Sequence, residues 1–317
     1  MNIGFSAPTA GPMAGADDLT RLCQGAEALG FAYATFSDHV VIPTDIESRY
    51  PYSESGEFSN AGNGERNEQL IELAFVAART KKLRLVTSVM VVPHRPAVLA
   101  AKQLATIDVL SGGRLDVGIG AGWMKEEFEA IGAPPFEKRG KVTDEYMMAF
   151  RELWTNDRPS FDGEFVQFDD IVFAPKPVQK PGIPLWVGGE SGPALRRTAK
   201  LGDAWYPIGN NPANPLDSLA RFRANVEKLR KMTIDAGRKP EAVKLVLRSP
   251  RHGEKEPPLA GDGGHRLFAG TPDQIIGDLK DLAALGVTSV DFGFPGTTVD
   301  AVLEEMKRFN GAVMAKL

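Results

Sequence analysis

The sequence has 317 residues but only one cysteine, Cys23. A single cysteine forms no disulfide within its own chain, and it excludes a metal site built from several thiolates. Cys23 lies in a helical pattern, where a lone cysteine is most often a small buried residue. We therefore expect neither a disulfide framework nor a cysteine-rich metal centre.

An excess of positive charge and long apolar runs are lacking as well. The formal net charge is −4, which argues against nucleic acid or an anionic membrane as the main partner, since both attract clustered Lys and Arg. No apolar run approaches the roughly 20 residues that a membrane span requires, and the N-terminal segment lacks the charged and apolar regions of a signal peptide. Hydrophobic residues make up 43% of the chain, so we expect a soluble cytoplasmic protein with a substantial core.

Short apolar runs alternate with helical patterns along nearly the whole chain. The runs that predict strands cover residues 3–6, 32–36, 83–92, 114–120, 184–189, 204–208, 242–249 and 287–294. Each is followed by a helical pattern, and this alternation implies a parallel sheet. About eight such units predict an α/β fold of the closed (β/α)8 type, a TIM barrel, in one domain of residues 1–317. An open doubly wound sheet is the alternative.

Three segments interrupt the alternation, near residues 43–66, 156–184 and 249–270. The second has aromatic and polar residues in alternation around Asp162-Gly163, which predicts a small β-hairpin with a tight turn. The other two are too long for simple connections. Long loops in compact domains usually have a function, so we expect them to cover a substrate.

Active sites of such barrels lie where the strands end, so the residues that follow each predicted strand are the candidates. Ser37-Asp38-His39 follows the second strand. His39 can exchange a proton near neutral pH, and Asp38 is predicted to orient it. The alternative is a structural histidine at a strand end, with Asp38 capping the loop. No second His, Asp or Glu falls at metal-ligand spacing nearby, so no metal site is expected.

The segment GIGAGW, residues 118–123, follows the fourth strand. Its spacing is Gly-x-Gly-x-Gly and not Gly-x-Gly-x-x-Gly, so a dinucleotide-binding site is only weakly supported. Gly118, Gly120 and Gly122 instead indicate close backbone approach to a flat ligand, or merely a tight strand exit. Trp123 is expected either to stack on that ligand or to fill the barrel mouth.

The segment GGESGP, residues 188–193, follows the fifth strand and predicts an anion site. Gly188 and Gly189 let backbone N–H groups turn inward, Ser191 can cap the next helix, and the helix N-terminus adds partial positive charge. An ordinary glycine turn with a cap is the alternative. No Gly-x-Ser-x-Gly elbow is present, so nucleophilic hydrolysis is poorly supported.

Several segments together resemble the bacterial luciferase-like flavin and deazaflavin oxidoreductases. They are GFAYATFSDHV, TKKLRLVTSVMVVPHRPAVLAAKQLATIDVLSGGRLDVGIGAGWMKEEFEAIG, RGKVTDEYMMAFRELWT, FDGEFVQF, PKPVQKPGIPLWVGGES and GDAWYP. These pieces cover roughly the first two thirds of the chain, and ATIDVLSGGRLDVGIGAGW is highly specific for the family. The last third fits by its strand–helix order.

The resemblance implies a (β/α)8 barrel that binds FMN or the deazaflavin F420 at the strands' C-terminal rim. It places His39 beside the cofactor ring, where it handles a proton during hydride transfer. It also implies a homodimer formed through barrel helices, and a separate flavin or F420 reductase as a partner. The residues it assigns to the cofactor are Ser88 and Val89, joined by a cis peptide under the ring, Gly118, Gly120 and Gly122 in the cleft, and Gly188, Gly189 and Ser191 at the phosphate. Trp123, directly after the cleft glycines, is predicted from its position to contact the cofactor as well.

The sequence also departs from the family pattern. Sugar-phosphate dehydrogenases of the family carry a glutamate at the position of Trp123, so a glucose-6-phosphate type of substrate is disfavoured. The usual Pro-x-Arg-x-Pro is one residue shorter here, PHRP, and no role is assigned to Arg95. The loop 43–66, with RYPYSESGEF, resembles the F420-dependent subgroup and favours F420 over FMN.

The sequence therefore predicts an oxidoreductase in which F420 and a small organic substrate exchange a hydride and His39 supplies or takes the proton. The first alternative is an FMN-dependent monooxygenase, in which reduced flavin activates dioxygen. A flavin-binding barrel without turnover is the second alternative. A lyase or hydrolase would require a pair of carboxylates at the rim, which the sequence does not reveal.

Overall fold

Eight parallel strands close into a barrel in this computed structural model, which describes residues 1–58 and 64–317. The described strands are β1 (Asn2–Ser6), β2 (Tyr33–Phe36), β3 (Arg84–Thr87), β4 (Met90–Val91), β5 (Leu115–Gly120), β6 (Phe161–Asp162), β7 (Gln167–Phe168), β8 (Leu185–Gly188), β9 (Ala204–Tyr206), β10 (Lys244–Ser249) and β11 (Val287–Phe292). The barrel runs β3, β2, β1, β11, β10, β9, β8, β5, and the pairing of β3 with β5 closes it. The predicted (β/α)8 TIM barrel is confirmed.

Helices pack around the barrel between successive strands. They are α1 (Ala16–Ala28), α2 (Gln69–Arg79), α3 (Ala97–Ser111), α4 (Lys125–Ala130), α5 (Arg139–Thr155), α6 (Gly192–Leu201), α7 (Leu219–Asp235), α8 (Pro272–Leu285) and α9 (Val299–Ala312). Local signals set several ends: Gly112, at φ 68°, ends α3, and Thr271 with Gln274 forms a capping box at the start of α8. In the part of the chain that the structure describes, no helix has both the length and the apolarity to cross a bilayer.

Two local features differ from the expectations. The hairpin is present as antiparallel β6 and β7, and Gly163 N donates to Val166 O at 3.0 Å, so the tight turn lies at residues 164–165, two residues later than Asp162-Gly163. Glu145 of α5 stabilises this turn, because its carboxylate accepts hydrogen bonds from the three backbone N–H groups of residues 164–166. The short helix α4 was not predicted, since its six residues are too few to show a helical period. Residues 59–63 of the predicted loop 43–66 lie outside the described residues.

The third predicted strand is broken in the middle. The run 83–92 was expected to be continuous, but β3 ends at Thr87 and pairing resumes at Met90 of β4. Between them Ser88 and Val89 are joined by the cis peptide that the resemblance implies. The backbone N–H of Ser88 donates to Phe36 O of β2 at 2.6 Å, and Thr87 Oγ1 donates to Gly118 O of β5 at 2.8 Å. We call residues 87–89 the strand kink.

The glycines of β5 and β8 make room for the strand kink. A Cβ atom on Gly118 would lie 1.9 Å from Thr87 O, and one on Gly120 would lie 2.5 Å from Val89 Cγ2. A Cβ on Gly188 would lie 3.0 Å from Val89 Cγ1. For Gly118 and Gly120 the predicted close backbone approach is therefore, within the protein itself, an approach to the strand kink.

We expect Gly118→Ala to lower the free energy of unfolding by about 3 kcal/mol or more, the upper range for an overpacked core, because the clash is with a backbone oxygen. Gly277→Ala is the matched control. Gly277 lies on the exposed side of α8 with no atom near its Cβ position, so alanine there should raise stability by about 0.5–1 kcal/mol. Urea denaturation at equilibrium measures both, and equal stabilities of the two variants would contradict the steric argument.

Candidate active site

His39 lies directly after β2, and only 11% of its side chain is exposed. Its Nδ1 lies 2.8 Å from Oε2 of Glu127, a residue of α4. A carboxylate oxygen accepts, so the N–H at Nδ1 donates this bond. The ring is thus held in place by a residue that the sequence pattern did not single out. The only available signal was the pair of glutamates shortly after the GIGAGW segment.

Asp38 does not orient His39, contrary to the prediction. Its Oδ1 and Oδ2 each accept a hydrogen bond of 2.8 Å from the Arg95 guanidinium, and Oδ2 accepts a third from Val91 N at 2.9 Å. Burial alone would raise the pKa of Asp38, but the hydrogen bonds and charge of Arg95 outweigh it and hold that pKa below its ordinary value. Asp38 is therefore a buried partner of Arg95 and of the segment after the strand kink.

Arg95, to which no role could be assigned from sequence, joins two elements of the barrel. Besides its two bonds to Asp38, its Nε donates to Glu68 Oε1 at 2.9 Å. Glu68 is the N-cap of α2, where its side chain accepts from Ile71 N. The guanidinium thus joins the start of α2 to the end of β2, next to His39.

An aromatic cluster covers His39. It consists of Tyr50, Phe58 and Trp123, with ring centroids 5.1–5.3 Å apart, and the His39 ring lies 5.1 Å from Phe58 and 6.4 Å from Trp123. Trp123 packs within this cluster, and its stacking on a ligand stays a prediction. Two members of the cluster come from the predicted loop 43–66, so the described part of that loop lies over the histidine.

A polar network occupies the barrel interior beneath the rim. Asp291 of β11 is fully buried, and it accepts hydrogen bonds from Tyr206 Oη at 2.7 Å and from Arg248 Nη1 at 3.0 Å. The same Arg248 nitrogen donates to Ser88 Oγ at 3.0 Å and to Thr35 Oγ1 at 2.9 Å. The strand kink is therefore hydrogen-bonded to β2 and β10 through this network. The sequence signal was Arg248 near the end of one predicted strand run and Asp291 inside another.

Burial dominates the ionisation of this network. It raises the pKa of Asp291, although the nearby Arg248 charge acts in the opposite direction. It also raises the pKa of Tyr206, with a further contribution from the Asp291 charge. Burial raises the pKa of Tyr50 too, while the Arg248 charge lowers it.

The glycine loop after β8 forms the predicted helix start. Ser191 is the N-cap of α6, and its Oγ accepts from Ala194 N at 3.4 Å. Gly189 has a φ of +97°, a conformation that side chains rarely adopt. Glu190, between them, is buried and turned towards the loop after β9, where it accepts from Ile208 N at 2.6 Å and from Asn211 Nδ2 at 2.7 Å.

The described part of the chain brings the site together from several strand ends. His39 and Trp123 meet in the aromatic cluster, Ser88 joins the polar network, and Val89 packs against the glycines of β5 and β8. Within residues 1–58 and 64–317, no group of three His, Cys, Asp or Glu is arranged to hold a metal ion.

We expect the stability of the protein to depend on the ionisation of Glu190. Burial raises the pKa of Glu190 from about 4.5 to about 7, so between these values the native state keeps a proton that the unfolded state releases. The stability that this proton contributes is lost as pH rises through that window. Glu190→Gln removes this dependence, so the free energy of unfolding of the parent minus that of the variant should fall by about 3 kcal/mol from pH 4 to pH 8. Urea denaturation across this range measures it, and a difference that is constant with pH would contradict the assignment.

Comparison with known proteins identifies the family. The profile described as "Luciferase-like monooxygenase" matches residues 1–257. An uncharacterized protein of Mycobacterium tuberculosis is 31% identical over 285 residues, which are 89% of each chain. The FMNH2-dependent dimethylsulfone monooxygenase of Pseudomonas putida is 37% identical over 188 residues, so the match spans 58% of this chain and 49% of that enzyme.

Solved structures with low sequence identity share the fold. A monooxygenase from Streptomyces bottropensis superimposes with a TM-score of 0.74 at 20% identity, over 100% of this chain and 99% of that one. An F420-dependent secondary alcohol dehydrogenase gives 0.73 at 18% identity, over 98% of each chain. The family match covers most of the chain, and the predicted resemblance is confirmed: the chain belongs to the luciferase-like monooxygenase family, whose members are F420- or flavin-dependent oxidoreductases.

Proposed function

We propose that the protein is an F420-dependent oxidoreductase that acts on a small organic substrate, with His39 as the proton donor or acceptor. The observation that supports it best is the set of contacts around the His39 side chain. Its Nδ1 is engaged by Glu127, its side chain is largely shielded from water, and its ring faces the aromatic cluster at the barrel mouth. A positioned and partly desolvated imidazole is suited to general acid–base catalysis.

The residues at the rim fit a cofactor that has a flat ring and a phosphate. Gly189, with its positive φ, and Ser191 precede the N-terminus of α6, where free N–H groups and the helix dipole favour an anion. Ser88 and Val89 of the strand kink would contact the ring, and Trp123 would contribute an aromatic face. Glu190 does not oppose the anion directly, because its carboxylate is turned towards Ile208 and Asn211.

Bound F420 or flavin supplies the hydride chemistry, and the chain supplies binding, orientation and the proton. His39 would exchange that proton through Nε2, since Nδ1 is engaged. The described part of the loop 43–66 would restrict water through Tyr50 and Phe58. The second predicted loop, 249–270, would complete the cover and contribute to specificity.

An FMN-dependent monooxygenase is the second candidate. The specific observation in its favour is the 37% identity with the FMNH2-dependent dimethylsulfone monooxygenase of Pseudomonas putida. The F420 candidate is favoured by the resemblance of the described loop, with RYPYSESGEF, to the F420-dependent subgroup. With FMN, a separate flavin reductase would be the partner that delivers the reduced cofactor. A flavin-binding barrel without turnover is the remaining alternative.

Titration of the protein with F420 and with FMN, each followed by fluorescence quenching, tests the choice of cofactor. We expect saturable quenching of F420 with an affinity at least tenfold higher than that for FMN. The reverse preference would favour the monooxygenase. Saturation by neither cofactor would contradict the whole assignment.

His39→Ala should reduce hydride transfer by about 100-fold or more, the usual contribution of a positioned acid or base. Cofactor affinity should stay within a few-fold of the parent value, because Gly189 and Ser191 are untouched. His265→Ala is the control, since His265 pairs with Asp278 of α8 outside the barrel. Stopped-flow measurement of cofactor oxidation or reduction reports the step. Unchanged turnover in His39→Ala, with cofactor still bound, would favour a barrel in which His39 has no catalytic role.

Gly189→Leu should abolish cofactor binding, because a side chain there would meet the Ala194 methyl group at the start of α6 and displace the loop. Gly237→Leu is the matched control. Gly237 also has a positive φ, with no atom near its Cβ position, and it lies between α7 and β10, at the opposite end of the barrel. The same fluorescence titration compares the two variants, and normal binding by Gly189→Leu would refute the phosphate loop.

The homodimer, the single-domain organisation and the cytoplasmic location are further parts of this proposal. The dimer is supported by the outer side of α3, where Leu99 and Leu110 are more than half exposed. Exposed apolar side chains are typical of surfaces that pack against another chain where they form a contiguous patch.

A further inference from the structure

We propose that Glu127 is the positioning residue of the site: it holds His39 as the Nδ1–H tautomer and leaves Nε2 as the atom that exchanges a proton. The inference deepens the proposed function and rests on it, because it assigns the chemistry of His39 to one ring atom. It also gives a role to α4, the helix that the sequence pattern did not predict.

Both oxygens of the Glu127 carboxylate are used, and for different purposes. Oε2 lies 2.8 Å from His39 Nδ1, while Oε1 accepts from Val40 N at 2.7 Å and from Val41 N at 3.3 Å. The whole residue is only 1% exposed, so no bulk water competes for these positions. A single carboxylate thus holds the ring of His39 and the backbone immediately after it.

This geometry determines the tautomer. A neutral imidazole carries one N–H, and a carboxylate offers only acceptors. The proton must therefore be at Nδ1, which leaves a lone pair at Nε2. A tilted contact with Phe58 and an edge contact with Trp123 oppose rotation of the ring, so Nε2 keeps a fixed direction.

Neighbouring groups do not take over the function of Glu127. His94 also faces the carboxylate, but its Nδ1 lies 3.9 Å from Oε1, beyond hydrogen-bond distance. Glu126, the preceding residue of α4, turns away from His39, and its Oε1 accepts from Glu47 N and Ser48 N, both at 2.9 Å. The two adjacent glutamates therefore bind different parts of the chain after β2, and of the two only Glu127 contacts the histidine. Glu126 is for this reason a matched control.

Glu127→Gln should reverse the tautomer without displacing the loop. A glutamine has one acceptor oxygen, and Val40 N and Val41 N would occupy it. Its NH2 group would then face His39 Nδ1, which must accept, so the proton would move to Nε2. In Glu126→Gln the same kind of change occurs one residue away, with no donor brought near His39.

Nitrogen NMR of protein that carries ¹⁵N-labelled histidine rings tests the inference, at a pH well above that at which free histidine titrates. The chain has only four histidines, and His39→Gln identifies the signals of His39. We expect the parent protein and Glu126→Gln to show a protonated Nδ1 and an unprotonated Nε2. In Glu127→Gln the Nε2–H form should become the major one, with a thermal denaturation midpoint that confirms folding.

Two results would overturn the inference. The first is an Nε2–H tautomer in the unmodified protein, which needs no variant for its interpretation. Unchanged His39 signals in folded Glu127→Gln would overturn it as well. The NMR measurement needs neither cofactor nor substrate, so failure of the proposed function is detected separately, by unchanged turnover in His39→Ala.

Discussion

The contact between the strand kink and the backbone of β5 is the constraint on which the rest of the site depends. The space that a Cβ atom would need at Gly118 is taken by the carbonyl oxygen of Thr87. Because glycine at position 118 leaves room for Thr87 O, the kink can follow its path between β3 and β4. Ser88 Oγ then accepts a hydrogen bond from Arg248, and Val91 N donates one to Asp38. Through the shape of the strand kink, the glycines of β5 thus determine where the polar groups at the barrel mouth lie.

The site keeps its buried carboxylates apart, each with its own partner. Asp38 forms a buried ion pair with Arg95, and Asp291 forms one with Arg248. Glu127 instead accepts a hydrogen bond from the neutral ring of His39. Loss of one member of a buried ion pair is costly because the other is left uncompensated. The two ion pairs therefore restrict which substitutions the rim can accept.

The fold could be predicted from sequence because it follows from a repeated signal: eight apolar runs, each with a helical pattern after it. The end of β2 also drew attention to His39, since polar residues directly after a buried strand are conspicuous. The partners of His39 and Asp38 could not be predicted in this way. Glu127 lies 88 residues after His39 and Arg95 lies 57 residues after Asp38. Such pairs form only when the closed barrel brings different strand ends together, which no local pattern encodes.

The interactions of the loop 43–66 and the segment before it with α4 have a consequence for the substitutions that this stretch of chain can accept. Glu126 and Glu127 bind backbone N–H groups at Val40, Val41, Glu47 and Ser48, and every residue except proline has that group. The position of this stretch of chain therefore depends little on which side chains it carries. Side chains of this stretch that do not contact the His39 ring can therefore be exchanged, by evolution or by design, while Glu127 keeps the imidazole in place.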